Sequence, residues 1–493
     1  MGYRWTIALL LLTCVQAPAA GQTTTAPPTT AAPPAASVPP PAPTPPLRDV
    51  YSTFASKARR QAFYENFLKN YIQRDLTPPL ADSTEDDWSD PFYGMELLHY
   101  KTPFVLERIT QAWDHIDKRS PDFTEAYLKL LYTNYPKHFR PQVAALLERT
   151  PNDRIFILCA EYLLLDHGDN QARLLIRRRL TARLDSSADP SLDLFRRRLN
   201  HEGVPSLTPP LEDLLGPSFQ PGKTIVYSFQ RSNRDYPGLV VVRRADGSFV
   251  KNPDSTYFSV PQLARSITNL PYYTRDGNTP QGIYRMDGLG FSRNQFLGPT
   301  LNIQLRMPYE VTPARFFRDP GITDTTWYLD AYKALLPPTW REDFAMQGAF
   351  YAGKVGRREV IAHGTTIDPE YFKGSVWYPQ TPSLGCLCAG ERWDDNGKRV
   401  YSDQQKLIDA LDSAGGADGY LVVVELDDWP GPVTPADVLR YLGAADKAAG
   451  NAVGNAANKT AGKTAALAKA AVYLQSHGSH HSTGRKNAAH AAG

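Results

Sequence analysis

The most informative stretch of the chain is residues 360–365, which read Val-Ile-Ala-His-Gly-Thr. Three apolar residues run directly into His363 and Gly364, and this pattern predicts a buried strand that ends at a histidine. Cys386 follows 23 residues after His363, within residues 381–388, which read Thr-Pro-Ser-Leu-Gly-Cys-Leu-Cys. A thiol needs a base or a positive charge nearby to become a nucleophile near neutral pH. The two stretches therefore predict a strand-rich region that carries cysteine–histidine chemistry.

Elimination narrows the candidates for that chemistry. No other histidine occurs between residues 202 and 476, and the last two cysteines of the chain are Cys386 and Cys388. Gly385 allows the backbone before Cys386 to turn tightly, so that amides around the thiol can point at a developing oxyanion. Taken singly, the cysteine reads as a buried strand residue and the histidine as a cap on a sheet edge. Taken together, they favour a catalytic pair.

A third motif lies upstream, where residues 279–282 read Thr-Pro-Gln-Gly and lead into a predicted strand. Alone, this is a turn signal. The order Thr-Pro-x-Gly, then a strand ending in His-Gly, then Ser-x-Gly-Cys, resembles the catalytic domain of the L,D-transpeptidase (YkuD-like) family. The resemblance covers roughly residues 221–428, under half of the chain, and the three motifs are specific only in combination.

The resemblance implies a mechanism and assigns roles to the motif residues. Cys386 matches the family's nucleophile and His363 its general base, with Gly364 supporting the histidine motif. Gly385 would sit in the turn that shapes the oxyanion hole with the Cys386 amide, and Ser383 matches the Ser/Thr that opens the motif. The family acts on peptidoglycan stem peptides and forms a thioester at the third residue, expelling the terminal D-alanine. An amine acceptor then gives a 3–3 crosslink, whereas water gives hydrolysis. No cofactor is implied.

Three features depart from the family pattern. Leu384 stands where a second histidine usually precedes the Gly-Cys pair, and Cys388 stands where Arg or Asn is usual. About eighty residues separate the first motif from His363, and the Pro- and aromatic-rich residues 316–340 predict an inserted lid or acceptor-binding loop. For the two cysteines, a reactive thiol with a spectator neighbour ranks first and a redox-switchable pair second. A zinc site that includes His363 ranks third, because no fourth ligand stands at useful spacing.

Composition bounds the rest of the chain. It has 493 residues, 42% of them hydrophobic, four cysteines and a net charge of +3. This length predicts two or three folded units. The near-neutral charge argues against a nucleic-acid partner, and four cysteines are too few for a disulfide scaffold.

The two ends of the chain do not resemble folded domains. Residues 1–21 have a charged start, a short apolar run and a small-x-small site, which predicts a signal peptide and export to the periplasm or cell envelope. Lipoprotein anchoring through Cys14 is the less favoured alternative. Residues 22–47 are rich in Pro, Thr and Ala and predict an extended linker. Residues 444–493, rich in Ala, Gly, Lys and His, predict a disordered tail.

Between these ends, the pattern predicts a multidomain α + β protein. Helical spacing over residues 48–203 predicts an all-α domain, with a helix starting at Ser120 and Cys159 in the core of another. Short β-type runs predict that residues 217–430 form the L,D-transpeptidase-like catalytic domain. Apart from the signal segment, no transmembrane domain is expected. The alternatives are a hydrolase on the same fold, a catalytically silent peptidoglycan-binding protein, and a scaffold that binds envelope proteins through the helical domain.

Overall fold

The computed structural model describes residues 49–201 and 208–451. The predicted signal peptide with Cys14, the linker of residues 22–47 and the tail beyond residue 451 lie outside the described residues. None of the helices in the described ranges combines the length and the apolar character needed to cross a bilayer. The described chain is a mixed α + β structure, with helices first and a strand-rich region after them.

The first described range is helical throughout, with a π-helical segment at Phe67–Gln73 and 3₁₀ turns at Thr53–Ala55 and Trp113–Lys118. Its α-helices are α1 Lys57–Asn66, α2 Arg74–Leu76, α3 Glu85–Ser89, α4 Phe92–Leu97, α5 Pro103–Ala112, α6 Pro121–Asn134, α7 Arg140–Arg149, α8 Asp153–Leu164, α9 Asn170–Leu184 and α10 Pro190–His201.

Local signals explain where several of these helices begin and what they bury. The Ser120 hydroxyl accepts a hydrogen bond from the Phe123 amide (3.1 Å), with Pro121 in the first turn of α6, as predicted. Helix α8 is apolar around most of its surface, and Cys159 is fully buried at its centre. The predicted core role of this cysteine is confirmed.

The second described range forms a closed eight-stranded sheet in the order β1-β10-β4-β5-β6-β7-β3-β2, with a separate β8–β9 hairpin. The strands are β1 Thr224–Gln230, β2 Gly238–Arg243, β3 Val260–Leu263, β4 Gly282–Gly290, β5 Asn302–Arg306, β6 Ile361–His363, β7 Leu387–Ala389, β8 Glu391–Trp393, β9 Arg399–Ser402 and β10 Gly419–Glu425. The associated helices are α11 Leu211–Leu215, α12 Pro313–Phe317, α13 Leu329–Lys333, α14 Gly348–Lys354, α15 Asp403–Ser413 and α16, residues 435–451.

Two strand pairs are parallel, and one of them organises the candidate site. β1 pairs with β10 in parallel, and β6 pairs with β7 in parallel; the other neighbours in the closed sheet are antiparallel. The motif strands that the sequence places 23 residues apart therefore lie side by side.

The helical region and the closed sheet share one continuous hydrophobic cluster that runs from Phe67 to Ala445. Helix α16 belongs to this cluster, because Ala445 and Ala449 are buried and Asp446 bonds the Phe249 amide (2.8 Å) and the Tyr257 hydroxyl (3.0 Å). Residues 444–451 are therefore helical and packed, and the predicted tail cannot begin at residue 444.

The aromatic insertion also differs from its prediction. Residues 316–340 contain the end of α12, α13 and a 3₁₀ turn at Pro338–Trp340, and four of their aromatic side chains are buried (Phe316, Trp327, Tyr332 and Trp340), whereas Tyr328 is exposed. Phe316 and Trp327 stack edge to face at 5.2 Å, and the Tyr332 hydroxyl accepts from the Ile283 amide (2.7 Å). None of these residues lines the cavity described below. The expectation of a lid or acceptor loop is wrong because burial of the aromatic rings holds the insertion against the sheet.

Candidate active site

The register of β6 and β7 places His363 beside the strand that directly follows Cys386. His363 lies opposite Cys388, and Ala362 lies opposite Leu387. As register partners, His363 and Cys388 share one face across a strand spacing of about 4.8 Å, and Cys386 lies in the bend directly before β7. All three line a single open cavity of about 470 Å³. Ser383 lines the same cavity, so four of the motif residues quoted from the sequence converge there.

The His363 side chain is held in one orientation. Its Nδ1–H donates to the carbonyl oxygen of Gly364 (2.5 Å), which leaves Nε2 as the ring atom with a free lone pair. The residue is 4% exposed, and burial lowers the pKa of His363 to about 4. The imidazole is therefore neutral at pH 7 and able to accept a proton. Gly364 thus supports the histidine through its carbonyl group.

Gly364 also needs to be glycine for a second reason. A Cβ atom at this position would lie 2.3 Å from the carboxyl group of Glu391. Glu391 is buried beneath the strand end, where it accepts from the Thr365 amide (2.9 Å) and from the hydroxyls of Thr300 and Ser402 (both 2.6 Å). This carboxylate fixes the backbone that follows His363.

The turn before the thiol, residues 383–386, is named here the cysteine turn. Ser383 Oγ accepts from the Gly385 amide (3.2 Å) and donates to the Cys386 carbonyl (2.9 Å), which closes the turn. Gly385 has φ +98°, a left-handed conformation that favours glycine. The Gly385 amide is thus engaged by the Ser383 hydroxyl. Gly385 therefore shapes the turn without offering its own N–H.

The Thr-Pro-x-Gly motif contacts the cysteine turn and stabilises it. Thr279 is buried, and its hydroxyl donates to the Gly385 carbonyl (3.0 Å) across 106 residues of sequence. A Cβ atom on Gly385 would lie 2.1 Å from the Gly277 carbonyl oxygen. The three sequence motifs thus meet in one constellation, in which the first motif positions the third.

Cys386 itself is half-buried at the mouth of the turn. Its Sγ donates to the carbonyl oxygen of Glu359 at 3.6 Å. Glu359 has φ +61°, an uncommon conformation for a residue with a Cβ, and its amide donates to the Glu310 carboxylate (2.5 Å). Strained backbone of this kind is found at functional sites that hold it in place. Here it directs a carbonyl group at the thiol.

Cys388 has a different environment. It is 1% exposed, its Sγ lies 3.5 Å from the Thr381 hydroxyl, and burial raises the pKa of its thiol to about 12. Cys159, Cys386 and Cys388 form no disulfide within the described part of the chain. A buried thiol that keeps its proton at neutral pH fits the interpretation of Cys388 as the spectator. Among the described residues, no cluster of three or more His, Cys, Asp or Glu side chains has a geometry suited to a metal ion.

The rest of the cavity wall comes from both regions of the chain. Helix α4 contributes Tyr93, and the sheet contributes an arginine-rich rim of Arg293, Arg306 and Arg358. The predicted helical domain therefore takes part in the candidate site, a role that its sequence pattern did not indicate.

A buried ion-pair network ties the helical region to the cavity. Lys129 of α6 contacts Glu125 (2.9 Å) on its own helix and Asp276 (2.8 Å) on the cavity wall. Burial alone would lower the pKa of Lys129, but the carboxylates of Asp276 and Glu125 outweigh it and raise the pKa. Asp276 precedes Gly277, whose carbonyl group packs on the cysteine turn. The helical region is thus connected to the cysteine turn through Asp276 and Gly277.

Five residues that line or support the site were not identified from the sequence: Glu359, Glu391, Lys129, Tyr93 and Arg357. Each acts through a contact with a residue far away in the sequence, and none lies in a recognisable motif. The left-handed conformation of Glu359, for example, is carried by a residue type that gives no turn signal.

The chain matches no known family model, no curated protein and no solved structure. The assignment of function therefore depends on the residues and their geometry.

Proposed function

We propose that this protein is an L,D-transpeptidase-like cysteine acyltransferase that acts on peptidoglycan stem peptides in the cell envelope. The observation that carries the proposal is that Cys386, directly before β7, and His363, at the end of the adjacent parallel strand β6, line one cavity of about 470 Å³. A neutral imidazole and a half-buried thiol that share a cavity are the groups that thioester chemistry requires.

The proposed reaction begins with proton transfer from Cys386 Sγ to Nε2 of His363. The sulfur then attacks the carbonyl carbon of the third stem residue, and backbone amides around the cysteine turn stabilise the oxyanion. His363 returns the proton to the departing D-alanine amine, leaving a thioester. An acceptor amine attacks the thioester, forms the new amide bond and releases the thiol.

The charge of the cavity agrees with this substrate class. The rim arginines Arg293, Arg306 and Arg358 outnumber the lining carboxylates Asp276 and Glu359. Guanidinium groups pair well with carboxylates, which stem peptides carry at their termini and side chains. The closed sheet with its β6–β7 pair supports the proposed L,D-transpeptidase-like fold for residues 217–430.

A carbapenem tests the proposal directly, because the resemblance implies that the nucleophile is acylated by this class of β-lactam. Intact-mass spectrometry of the folded protein should show one adduct, and Cys386→Ala should abolish it. Cys388→Ala is the matched control, two residues away in the wall of the same cavity, and should keep the adduct. Absence of an adduct on folded protein, or its persistence in Cys386→Ala, would contradict the assignment.

Product analysis then defines the outcome of the reaction. Purified disaccharide-tetrapeptide should yield 3–3 crosslinked dimers and free D-alanine, detected by mass spectrometry. Accumulation of tripeptide without dimers would assign the same site to hydrolysis. Tight muropeptide binding without either product would leave a binding protein and overturn the acyltransferase proposal.

A further inference from the structure

A buried cation lies behind the cysteine turn and has no role in the reaction described above. Arg357 precedes β6 and is 8% exposed. Its Nη1 donates to the carbonyl groups of Tyr272 and Asn278 (both 2.7 Å), and its backbone amide donates to the Ala352 carbonyl (2.9 Å). The guanidinium is therefore held rigidly.

The other guanidinium nitrogen faces the catalytic turn. A Cβ atom on Gly385 would lie only 2.4 Å from Arg357 Nη2, so this nitrogen packs directly against the residue that precedes Cys386. Because Gly385 has no side chain, the Arg357 guanidinium can approach the cysteine turn closely. Any larger residue at this position would displace the guanidinium.

Arg357 also lacks a carboxylate partner. Its guanidinium donates to the neutral carbonyl groups of Tyr272 and Asn278, and it forms no ion pair within the described part of the chain. Burial of an unpaired charge is costly, and an arginine keeps its charge in proteins. Burial lowers the pKa of Arg357, and the groups that act against this are Tyr284, Asp276, Cys386 and Glu310. An anion formed at the thiol would supply the missing counter-charge.

We propose that Arg357 is a positioning residue that stabilises the Cys386 thiolate from behind the cysteine turn. When the thiol gives up its proton to the neutral imidazole of His363, the guanidinium faces the new negative charge across Gly385. The same contact holds the turn, so one side chain sets both the acidity and the place of the nucleophile. The inference rests on the proposed role of Cys386 as the reactive thiol and is independent of the peptidoglycan substrate.

The pH dependence of Cys386 alkylation by iodoacetamide tests this role in the full chain. A neighbouring opposite charge lowers a thiol pKa by about one unit or more. We therefore expect the midpoint of the alkylation profile to rise by about one unit in Arg357→Met, a roughly tenfold loss of thiolate below the midpoint. Arg357→Lys should retain part of the effect. Lys354→Met, an exposed charge removed three residues away, should leave the midpoint unchanged.

A measurement on the unmodified chain covers the case in which Arg357→Met does not fold. The thiolate absorbance of the wild type minus that of Cys386→Ser should titrate below the ordinary thiol pKa of about 8.5. A wild-type midpoint at or above that value, or equal midpoints in folded Arg357→Met and wild type, would overturn the proposal. Failure of carbapenem acylation with a lowered midpoint would instead count only against the proposed enzymatic function.

Discussion

The helical region and the closed sheet both reach the same cavity, but they contribute different kinds of groups. The sheet region supplies the thiol directly before β7 and the imidazole at the end of β6, and the parallel pairing of these two strands brings both residues to one cavity. The helical region supplies Tyr93 to the wall and Lys129 to the buried ion pair with Asp276. Strand pairing fixes reactive atoms to within a fraction of an ångström, whereas a helix packed against a sheet acts through long side chains. The difference teaches that the reactive groups come from the sheet region alone, whereas their support comes from both regions, since Thr279 and Arg357 of the sheet region also hold the cysteine turn.

Removal of the base from the sheet should produce the largest effect. His363→Ala should keep the fold, because the strand and its neighbours remain, but should slow carbapenem acylation of Cys386 by roughly 10²–10⁴-fold. Stopped-flow or mass-resolved acylation kinetics measure this. The Ala362 side chain lies on the face of the sheet opposite to that of His363. Ala362→Ser is therefore the control at the adjacent position, and its Cys386 should be acylated at a rate within a few-fold of the wild-type rate. A rate in His363→Ala equal to that control would remove the histidine from the mechanism.

Removal of the helical ion pair should mainly affect stability. Lys129→Met leaves Glu125 and Asp276 without their shared cation, and breaking a largely buried pair in this way costs about 3 kcal/mol of unfolding free energy. Chemical denaturation measures the change. Lys137→Met removes an exposed lysine of the same region, which lies 4.0 Å from Asp166, and should change stability by less than about 0.5 kcal/mol.

The same variant tests whether the helical region supports the site or only packs beside it. Acylation should slow in Lys129→Met as well, because Asp276 adjoins the Gly277 carbonyl that packs on the cysteine turn. A destabilised variant with wild-type acylation kinetics would show that the two regions are energetically joined but functionally separate.

The pH at which the rate of Cys386 acylation falls in acid should reflect the burial of His363. The neutral imidazole is the base, so acylation should fall as the pH drops through about 4, the lowered pKa of His363. An ordinary exposed histidine would place this fall near pH 6.5, and at pH 5 the two cases differ in rate by roughly 30-fold. Acylation rates from pH 3.5 to 8, with circular dichroism to confirm folding, decide between them. A fall near pH 6.5 would mean that water reaches the ring.

The smallest effect is expected behind the cysteine turn. Thr279→Val keeps the shape of the side chain but loses the hydrogen bond to the Gly385 carbonyl, which is worth about 1 kcal/mol. Unfolding free energy should fall by that amount, with a several-fold slower acylation. Thr279→Ser retains the hydroxyl and should stay nearer to wild type. Equal behaviour of the two variants would mean that the methyl group, and not the hydrogen bond, supports the turn.

Much of the helical region and the longer strands could be predicted from local pattern. The start of α6 followed from Ser120, and β1, β2 and β10 have enough apolar residues in a row to be recognised. Strands β3, β5 and β7 were not predicted from the sequence, since each has only three to five residues. The run at residues 248–251 forms isolated bridges at Phe249 and Lys251 and no strand. Periodicity over so few residues carries little information.

For the site, sequence alone named the thiol, the imidazole and the glycine beside the thiol, by elimination and motif order. The chemistry of a residue type and its local spacing are properties of the chain itself, and both can be read before folding.

Only the tertiary structure decided which distant groups surround that thiol. The register of β6 on β7, the Thr279 hydroxyl on Gly385, and the guanidinium of Arg357 behind the turn all depend on segments brought together by closure of the sheet. Such contacts arise because burial of the shared core favours one arrangement of the whole chain, and no local pattern records which neighbours result.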